Sequence, residues 1–146
     1  MRAAVRTFLV LSILAFSILA FSRPSAAQSG GERPPLLTTK ETSFKMQPTE
    51  KAKIQYLLAR IGQSPYTFIR NGEEHSGREA SSHLRWKYGF AFSRIKTVDE
   101  FINYIASRSM KTGEEYRMRI SSGEVFEMDE VLYNELEALR DEVHVG

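Results

Sequence analysis

The chain has 146 residues, of which 42% are hydrophobic, and it contains no cysteine. This length suits a single domain, and the lack of cysteine excludes both a disulfide-stapled scaffold and a lipid attached to cysteine. The formal net charge is only +2, from 20 basic and 18 acidic residues. Such a balance does not favour nucleic acid or an anionic membrane surface as a partner.

The first 27 residues differ in composition from the rest of the chain. Arg2 and Arg6 precede an apolar run from Thr7 to Phe21, and Ser25–Ala27 supplies small residues for a cleavage site. We predict a secretory signal peptide cleaved after Ala27, because the run is shorter than the roughly 18–20 residues that cross a bilayer. The leader holds three arginines and no acidic residue, which leaves 17 basic against 18 acidic residues. We therefore expect a periplasmic protein, with full secretion as the alternative and no stable membrane anchor after cleavage.

Residues 28–47 have the composition of a linker, with Gly30-Gly31, Pro34-Pro35 and few apolar side chains. We predict a flexible N-terminal arm over these residues and one domain over residues 48–146. The domain opens with a helix that Thr49 caps and that Gly62 is expected to stop. Its apolar stripe has helical spacing and consists of Ile54, Leu57, Leu58 and Ile61.

The dipeptide Asn71-Gly72 predicts a β-hairpin, because a two-residue type I′ turn needs a positive φ at both positions. The turn places Arg70 opposite Glu73 as a cross-strand pair of opposite charge. The segment Ser76–Glu79 then has the spacing of a capping box, which starts a second helix. We expect this helix to end before Gly89.

Thr97–Glu100 is a second capping box and predicts a third helix. A polar loop, Ser107–Gly113, follows this helix. The apolar stripe of the third helix consists of Val98, Phe101, Ile102, Ile105 and Ala106. This stripe is expected to lie in the core.

A second hairpin is predicted from alternating apolar residues over Tyr116–Ile120, a turn at Ser121–Gly123 and a returning strand over Glu124–Met128. Asp129 is expected to cap the final helix. Its stripe consists of Leu132, Leu136, Leu139 and Val143. These elements predict an α+β fold, in which two β-hairpins form a small antiparallel sheet packed with about four helices in one domain.

The second helix carries a lysine in its apolar stripe. Lys87 follows Ala80 by seven residues and therefore projects in nearly the same direction, beside Leu84. A coreward ammonium needs a carboxylate, several carbonyls or a ligand anion. Two alternatives remain open: a structural lysine near the negative helix end, or one that faces a ligand together with His83. Six aromatic residues flank this helix and either join the core or line a groove: Tyr66, Phe68, Trp86, Tyr88, Phe90 and Phe92.

The sequence contains no phosphate-binding loop, dinucleotide fingerprint or nucleophile elbow. Glu79 and His83 have the i, i+4 spacing of metal ligands on a helix, and His75 is the nearest further candidate. Zinc usually takes three or four protein ligands, and the chain has only three histidines. We predict no metal and no cofactor.

Several spaced motifs agree with one known pattern. The motif Phe68-x-Arg70-Asn71-Gly72 precedes Ala80-x-x-His83-Leu84-x-x-Lys87, Ala106-Ser107-x-Ser109 and Gly113-x-x-Tyr116. This pattern resembles the YfeK-like proteins, small exported bacterial proteins that form a domain of unknown function. The resemblance implies a periplasmic address and supplies no established activity. It also implies that these residues form one constellation: Arg70, Asn71, His83, Lys87, Ser107, Ser109 and Tyr116.

The constellation supports two hypotheses about function. The first is a non-catalytic module that binds a small polar or anionic ligand, or a periplasmic protein, between the second helix and the loop Ser107–Gly113. The second is a small hydrolase or transferase, with His83 as general base and Ser107, Ser109 or Tyr116 as its partner. In a third interpretation these residues have only a structural role and hold that loop against the hairpin.

Overall fold

A computed structural model describes residues 33–38 and 48–145, with side chains as far as Asp141. The predicted signal peptide lies outside these residues. No helix within them is both long and apolar enough to cross a membrane. The elements in chain order are α1 (Glu50–Gln63), β1 (Thr67–Arg70), β2 (Glu73–Ser76), α2 (Gly77–Ala91), α3 (Val98–Phe101) with a π-helical turn (Ile102–Ala106), β3 (Arg117–Arg119), β4 (Val125–Glu127) and α4 (Met128–Val145).

The sheet has four antiparallel strands in the order β2-β1-β3-β4. Each predicted hairpin forms, and β1 pairs with β3 to join the two hairpins. Phe68 lies between His75 and Met118, and Met118 pairs in turn with Phe126. Phe68, Met118 and Phe126 are buried, so this row marks the face of the sheet that contacts the helices. The predicted α+β fold is confirmed.

The first hairpin has the predicted turn and register. The φ angles are 50° at Asn71 and 77° at Gly72, and Arg70 pairs with Glu73. The expected ion pair between these two side chains does not form in the described structure. Glu73 is exposed to solvent, where an ion pair gains little free energy.

The first two helices are longer than predicted. Thr49 caps α1 and the predicted stripe is buried, but the helix continues through Gly62 to Gln63. Gly62 instead allows close packing, because a Cβ there would lie 3.3 Å from Oγ of Ser81 on α2. Similarly, α2 has the predicted capping box but runs through Gly89 to Ala91. A glycine stops a helix only when it takes a left-handed conformation, and neither of these does.

The third helix has its predicted cap and a buried stripe, but its last turn is π-helical. The amide of Ser107 donates to the carbonyl of Ile102, five residues earlier, at 3.0 Å. The last helix begins at Met128, one residue before the expected cap, Asp129. In its stripe Leu132 and Leu139 are buried and Leu136 is half-buried; the side chain of Val143 lies outside the described residues.

The segment Arg33–Thr38 packs against the domain. Leu37 is fully buried, and its amide donates to Oε2 of Glu135 on α4 at 2.9 Å. These six residues therefore differ from the expected flexible arm, because burying Leu37 and pairing its amide hold them in place. The rest of the arm lies outside the described residues.

Candidate functional site

Lys87 is buried on α2 and faces the end of the π-helical turn. Its Nζ donates to the carbonyls of Ile105 at 2.5 Å and Arg108 at 2.8 Å, and to Oη of Tyr116 at 3.3 Å. The ammonium also lies 4.9 Å from the centroid of the Tyr116 ring. Burial, helped by the charge of Arg70, lowers the pKa of Lys87 to about 8. Three donors with three acceptors make Lys87 a clamp between α2, the π-helical turn and β3.

Arg70 lies at the end of β1, on the same face of the sheet as Phe68. Within the described residues it makes no ion pair and no hydrogen bond. Its charge helps to lower the pKa of both His83 and Lys87. Arg70 is therefore a half-buried cation, next to other basic groups, with its donors available to an outside partner.

His83 is half-buried on α2 and makes no hydrogen bond in the described structure. Burial is the main cause that lowers its pKa to about 4, and the charges of Arg70, Lys87 and His75 add to the effect. The imidazole is thus neutral at physiological pH. Its ring stacks on Trp86, with 5.9 Å between centroids and 26° between planes.

The serine hydroxyls of the predicted site serve the loop Ser107–Gly113. Oγ of Ser107 donates to the carbonyl of Ile102 at 2.7 Å, and Oγ of Ser109 accepts from the amide of Thr112 at 3.3 Å. Thr112 also donates to Oδ1 of Asn71 at 2.8 Å, which joins the loop to the hairpin turn. These bonds are the arrangement expected of a loop pinned to the hairpin.

The structure therefore divides the seven predicted site residues into two groups. Arg70, His83, Lys87 and Tyr116 lie together around the end of β1. Burial raises the pKa of the Tyr116 phenol, while the charge of Arg70 acts in the opposite sense. The other three residues, Asn71, Ser107 and Ser109, make hydrogen bonds of the loop, and a side-chain hydrogen bond with Ser109 also acts to lower the pKa of Tyr116. Oη of Tyr116, the remaining hydroxyl candidate, accepts from Nζ of Lys87, and no hydrogen bond joins His83 to a hydroxyl group among the described residues.

A small cavity of about 30 Å³ lies between α2 and β1. This volume is about that of one water molecule, far below the several hundred Å³ of a typical small-molecule site. One buried polar atom near it, Nε2 of His75, has no hydrogen-bond partner in the described structure. The cavity is lined by Phe68, Ile69, Arg70, His75, Ala80, His83, Leu84, Ala106, Tyr116, Arg117 and Met128.

A larger groove of about 380 Å³ contains none of the predicted site residues. It lies between α1, α3 and α4 and is lined by Pro48, Glu50, Lys53, Val98, Asp99, Tyr133, Leu136, Glu137, Leu139 and Arg140. Among residues 33–38 and 48–141, no group of three or more acidic or histidine side chains is placed to hold a metal ion. Glu79, one of the ligands considered from the sequence, is engaged in the capping box with Ser76.

The aromatic residues around α2 split between the core and the surface. Phe68 and Tyr88 are buried, whereas Trp86 is 62%, Phe90 77% and Phe92 50% exposed. The Trp86 and Phe90 rings contact edge to face, with centroids 4.8 Å apart. Since His83 stacks on Trp86, these rings form a continuous surface that we name the aromatic strip: His83, Trp86 and Phe90 on α2, with Arg70 beside His83. Because the predicted α2 ended before Gly89, neither the contact between Trp86 and Phe90 nor their exposure was predicted from the sequence.

Sequence reasoning missed a buried polar cluster between α1 and α4. Glu135 is fully buried and accepts hydrogen bonds from Tyr56 and Arg60 of α1. A signal for it was present, because Glu135 follows Val131 by four residues and precedes Leu139 by four, within the apolar stripe of α4. A carboxylate at such a position requires buried donors.

The model of a family of unknown function, DUF5329, matches residues 48–140. The chain belongs to this family. It is also 44% identical over 68 residues to the uncharacterized protein YfeK of Salmonella typhimurium strain LT2, a match that covers 46% of this chain and 57% of that protein. The resemblance drawn from the spaced motifs is confirmed, and no solved structure matches the chain.

Proposed function

We propose that this DUF5329 protein is an exported, non-catalytic module that binds a protein partner through the aromatic strip. The observation that carries the proposal is the exposure of Trp86 and Phe90 in mutual contact. The cation of Arg70, which has no ion-pair or hydrogen-bond partner among the described residues, lies beside His83 in the same strip. Contiguous exposed aromatic side chains are uncommon on a free surface and are enriched at interfaces.

The strip also has the rigidity that recognition requires. Trp86 contacts the rings of His83 and Phe90, and these contacts restrict its side chain before a partner arrives. An ordered aromatic side chain loses little conformational entropy on binding. The low pKa of His83 keeps its ring neutral, which allows it to lie under an apolar contact without the cost of burying a charge.

The chemistry of the strip indicates the kind of partner. Trp86 and Phe90 offer apolar area, and Arg70 offers a planar set of donors suited to a carboxylate. A protein segment with an apolar anchor and an acidic residue beside it fits this surface. Binding of that carboxylate would give Arg70 the partner that it lacks among the described residues.

A ligand pocket between α2 and the loop Ser107–Gly113 and a general-base reaction at His83 have less support in the geometry. The contact between α2 and the loop Ser107–Gly113 is closed by the hydrogen bonds of Lys87, and the nearby cavity holds about one water molecule. The general-base hypothesis lacks a hydrogen bond between His83 and a hydroxyl group among the described residues, because Oη of Tyr116 is bonded to Lys87. We therefore retain the binding module and assign its contact surface to the outside of α2.

Photo-crosslinking in living cells tests the proposal. A photoreactive phenylalanine analogue at position 86 or 90 is expected to give a discrete crosslinked partner, identified by mass spectrometry. Val125, which is 37% exposed on the edge strand β4, provides the control position. With the purified partner, Trp86→Ala and Arg70→Gln should each weaken binding at least tenfold while Val125→Ala does not. Equal adducts at all three positions, or unchanged binding by Trp86→Ala, would refute the assignment.

Export is tested separately. The leader composition predicts that the protein recovered from a periplasmic fraction begins at Gln28. Intact-mass measurement of the purified protein gives that terminus directly. Recovery in the cytoplasm with Met1 or Arg2 as the first residue would contradict export and would leave the binding surface to be judged on the crosslinking alone.

A further inference from the structure

The segment Arg33–Thr38 is bound to the domain through its main chain. Nδ2 of Asn134 donates to the carbonyl of Pro34 at 2.6 Å, and the amide of Leu37 donates to Oε2 of Glu135 at 2.9 Å. Arg60 donates to the carbonyl of Thr38. Three side chains of α1 and α4 thus contact three main-chain groups of a segment without regular secondary structure, which is how many proteins bind peptides.

The binding groups are held in place by the domain itself. Glu135 is fully buried, and its Oε1 accepts from Oη of Tyr56 at 2.9 Å and from Nε of Arg60. Both donors belong to α1, and the bond from Tyr56 does not require a hydrogen bond to the segment. The second oxygen, Oε2, is thereby aimed at a peptide amide. A preorganised acceptor of this kind lowers the cost of binding.

The side chains of the segment supply selectivity. Leu37 is fully buried, whereas its neighbour Leu36 is 39% exposed. Pro34 and Pro35 have a fixed φ, which limits the conformations that the free segment loses on binding. Arg33 adds an ion pair with Glu137 at 3.5 Å on the exposed rim.

From these contacts we propose that the cleft between α1 and α4 is a peptide-recognition site that the chain's own segment Arg33–Thr38 occupies. The ligand class is a short, non-helical peptide with a leucine at the buried position and a proline three residues before it. Occupation by a tethered segment competes at an effective concentration near the millimolar range, so the cleft is closed to free peptide in the intact protein.

A peptide supplied in trans tests this inference. The variant Leu37→Asp puts a carboxylate at a fully buried position and should release the segment. Leu36→Asp makes the same change at the exposed neighbour and is the matched control. A fluorescent, capped peptide with the sequence of residues 33–38 should bind Leu37→Asp saturably in an anisotropy titration. It should bind neither the unaltered protein nor Leu36→Asp at the same concentrations. Adding Asn134→Ala to the Leu37→Asp protein should weaken peptide binding about two- to tenfold.

If Leu37→Asp folds poorly, thermal unfolding with and without the peptide provides a second measurement of binding. The peptide should then raise the unfolding midpoint of this variant, or of the milder Leu37→Gly, since a ligand that binds only the folded state stabilises it. A peptide with aspartate in place of its leucine should give no shift. Absence of both binding and a midpoint shift overturns the proposal. Equal binding to the unaltered protein overturns it as well, because the peptide would then use another surface.

Discussion

Replacing Lys87 by methionine tests whether this lysine is a clamp or a ligand contact. Methionine has a similar length and fills the same space but donates no hydrogen bond. The carbonyls of Ile105 and Arg108 would therefore lose their bonds to Nζ, and the loop Ser107–Gly113 its link to α2. A buried acceptor left without a donor costs about 1–3 kcal/mol. For one buried and one partly buried carbonyl we expect a loss of about 2–4 kcal/mol.

An opposing effect makes the result depend on pH. The pKa of Lys87 is about 8 in the folded protein, against 10.5 as its ordinary value. Between these values the unfolded chain binds more protons, so the stability of the unaltered protein rises with pH. At roughly 1.4 kcal/mol per pKa unit the full effect is up to about 3 kcal/mol. Methionine carries no charge, so the variant does not have the free-energy cost of burying an ammonium at pH 7. The net destabilisation should therefore be close to zero at pH 7, within about 1 kcal/mol, and about 1–3 kcal/mol at pH 10.

Urea unfolding followed by circular dichroism at pH 7 and pH 10 measures both values. Lys111→Met, an exposed lysine of the same loop, is the control and should follow the unaltered protein at each pH. Hydrogen exchange at pH 7 should show faster exchange for the amides of Ser109 and Tyr116, which close the loop. A Lys87→Met protein with unaltered stability at both pH values and unaltered exchange would refute the clamp. If it also lost its partner, Lys87 would belong to the binding surface.

Two further predictions concern titration and packing. His83 has a folded pKa of about 4 against an ordinary value of 6.5, so the unfolded chain binds more protons between these values and stability should fall as pH drops from 6.5 to 4. Solvent screening of a half-exposed ring reduces this effect to about 1 kcal/mol. In His83→Gln the thermal unfolding midpoint should therefore depend less on pH between 4 and 6.5. An unchanged dependence of the midpoint on pH would contradict the stated pKa. The second prediction uses two glycines of α2. A Cβ on Gly77 would lie 2.3 Å from the carbonyl oxygen of Ile61, whereas a Cβ on Gly89 meets nothing within 4 Å. Gly77→Ala should therefore destabilise the protein by about 3 kcal/mol or more by forcing α1 and α2 apart, and Gly89→Ala should stabilise it by about 0.5–1 kcal/mol by its higher helix propensity. Chemical denaturation compares the two, and equal effects would show that α1 and α2 are not in the close contact described.

Local signals explain the parts of the fold that sequence reasoning predicted. The turn at Asn71-Gly72 and the capping boxes at Ser76 and Thr97 each depend on a few neighbouring residues, so short motifs suffice to predict them. The helix ends at Gly62 and Gly89 depend on packing and on the conformation that the glycine takes. A motif alone does not contain that information, and both predicted ends were too early.

The environment of Lys87 shows a second kind of feature that the sequence could not predict. Helical spacing predicted that its side chain points towards the core, and the structure places it there. Two of its partners are main-chain carbonyls from residues 18 and 21 positions later, brought to it by a π-helical turn. Every residue has a main-chain carbonyl, so the residue type does not indicate which carbonyl will accept the hydrogen bond. The sequence could therefore indicate that Lys87 needs partners, but not which groups they are.

Glu135 is a second residue whose position in a helix indicates that it needs buried partners. Like Lys87, it is a charged residue at an apolar position of an amphipathic helix, and it is fully buried. Its partners come from α1 and from the segment Arg33–Thr38, so the cluster joins the N-terminal part of the chain to the last helix. A charged residue inside the apolar stripe of a helix thus predicts hydrogen-bond or ion-pair partners that are distant in sequence. In this protein one such charge holds a loop and the other holds a peptide segment.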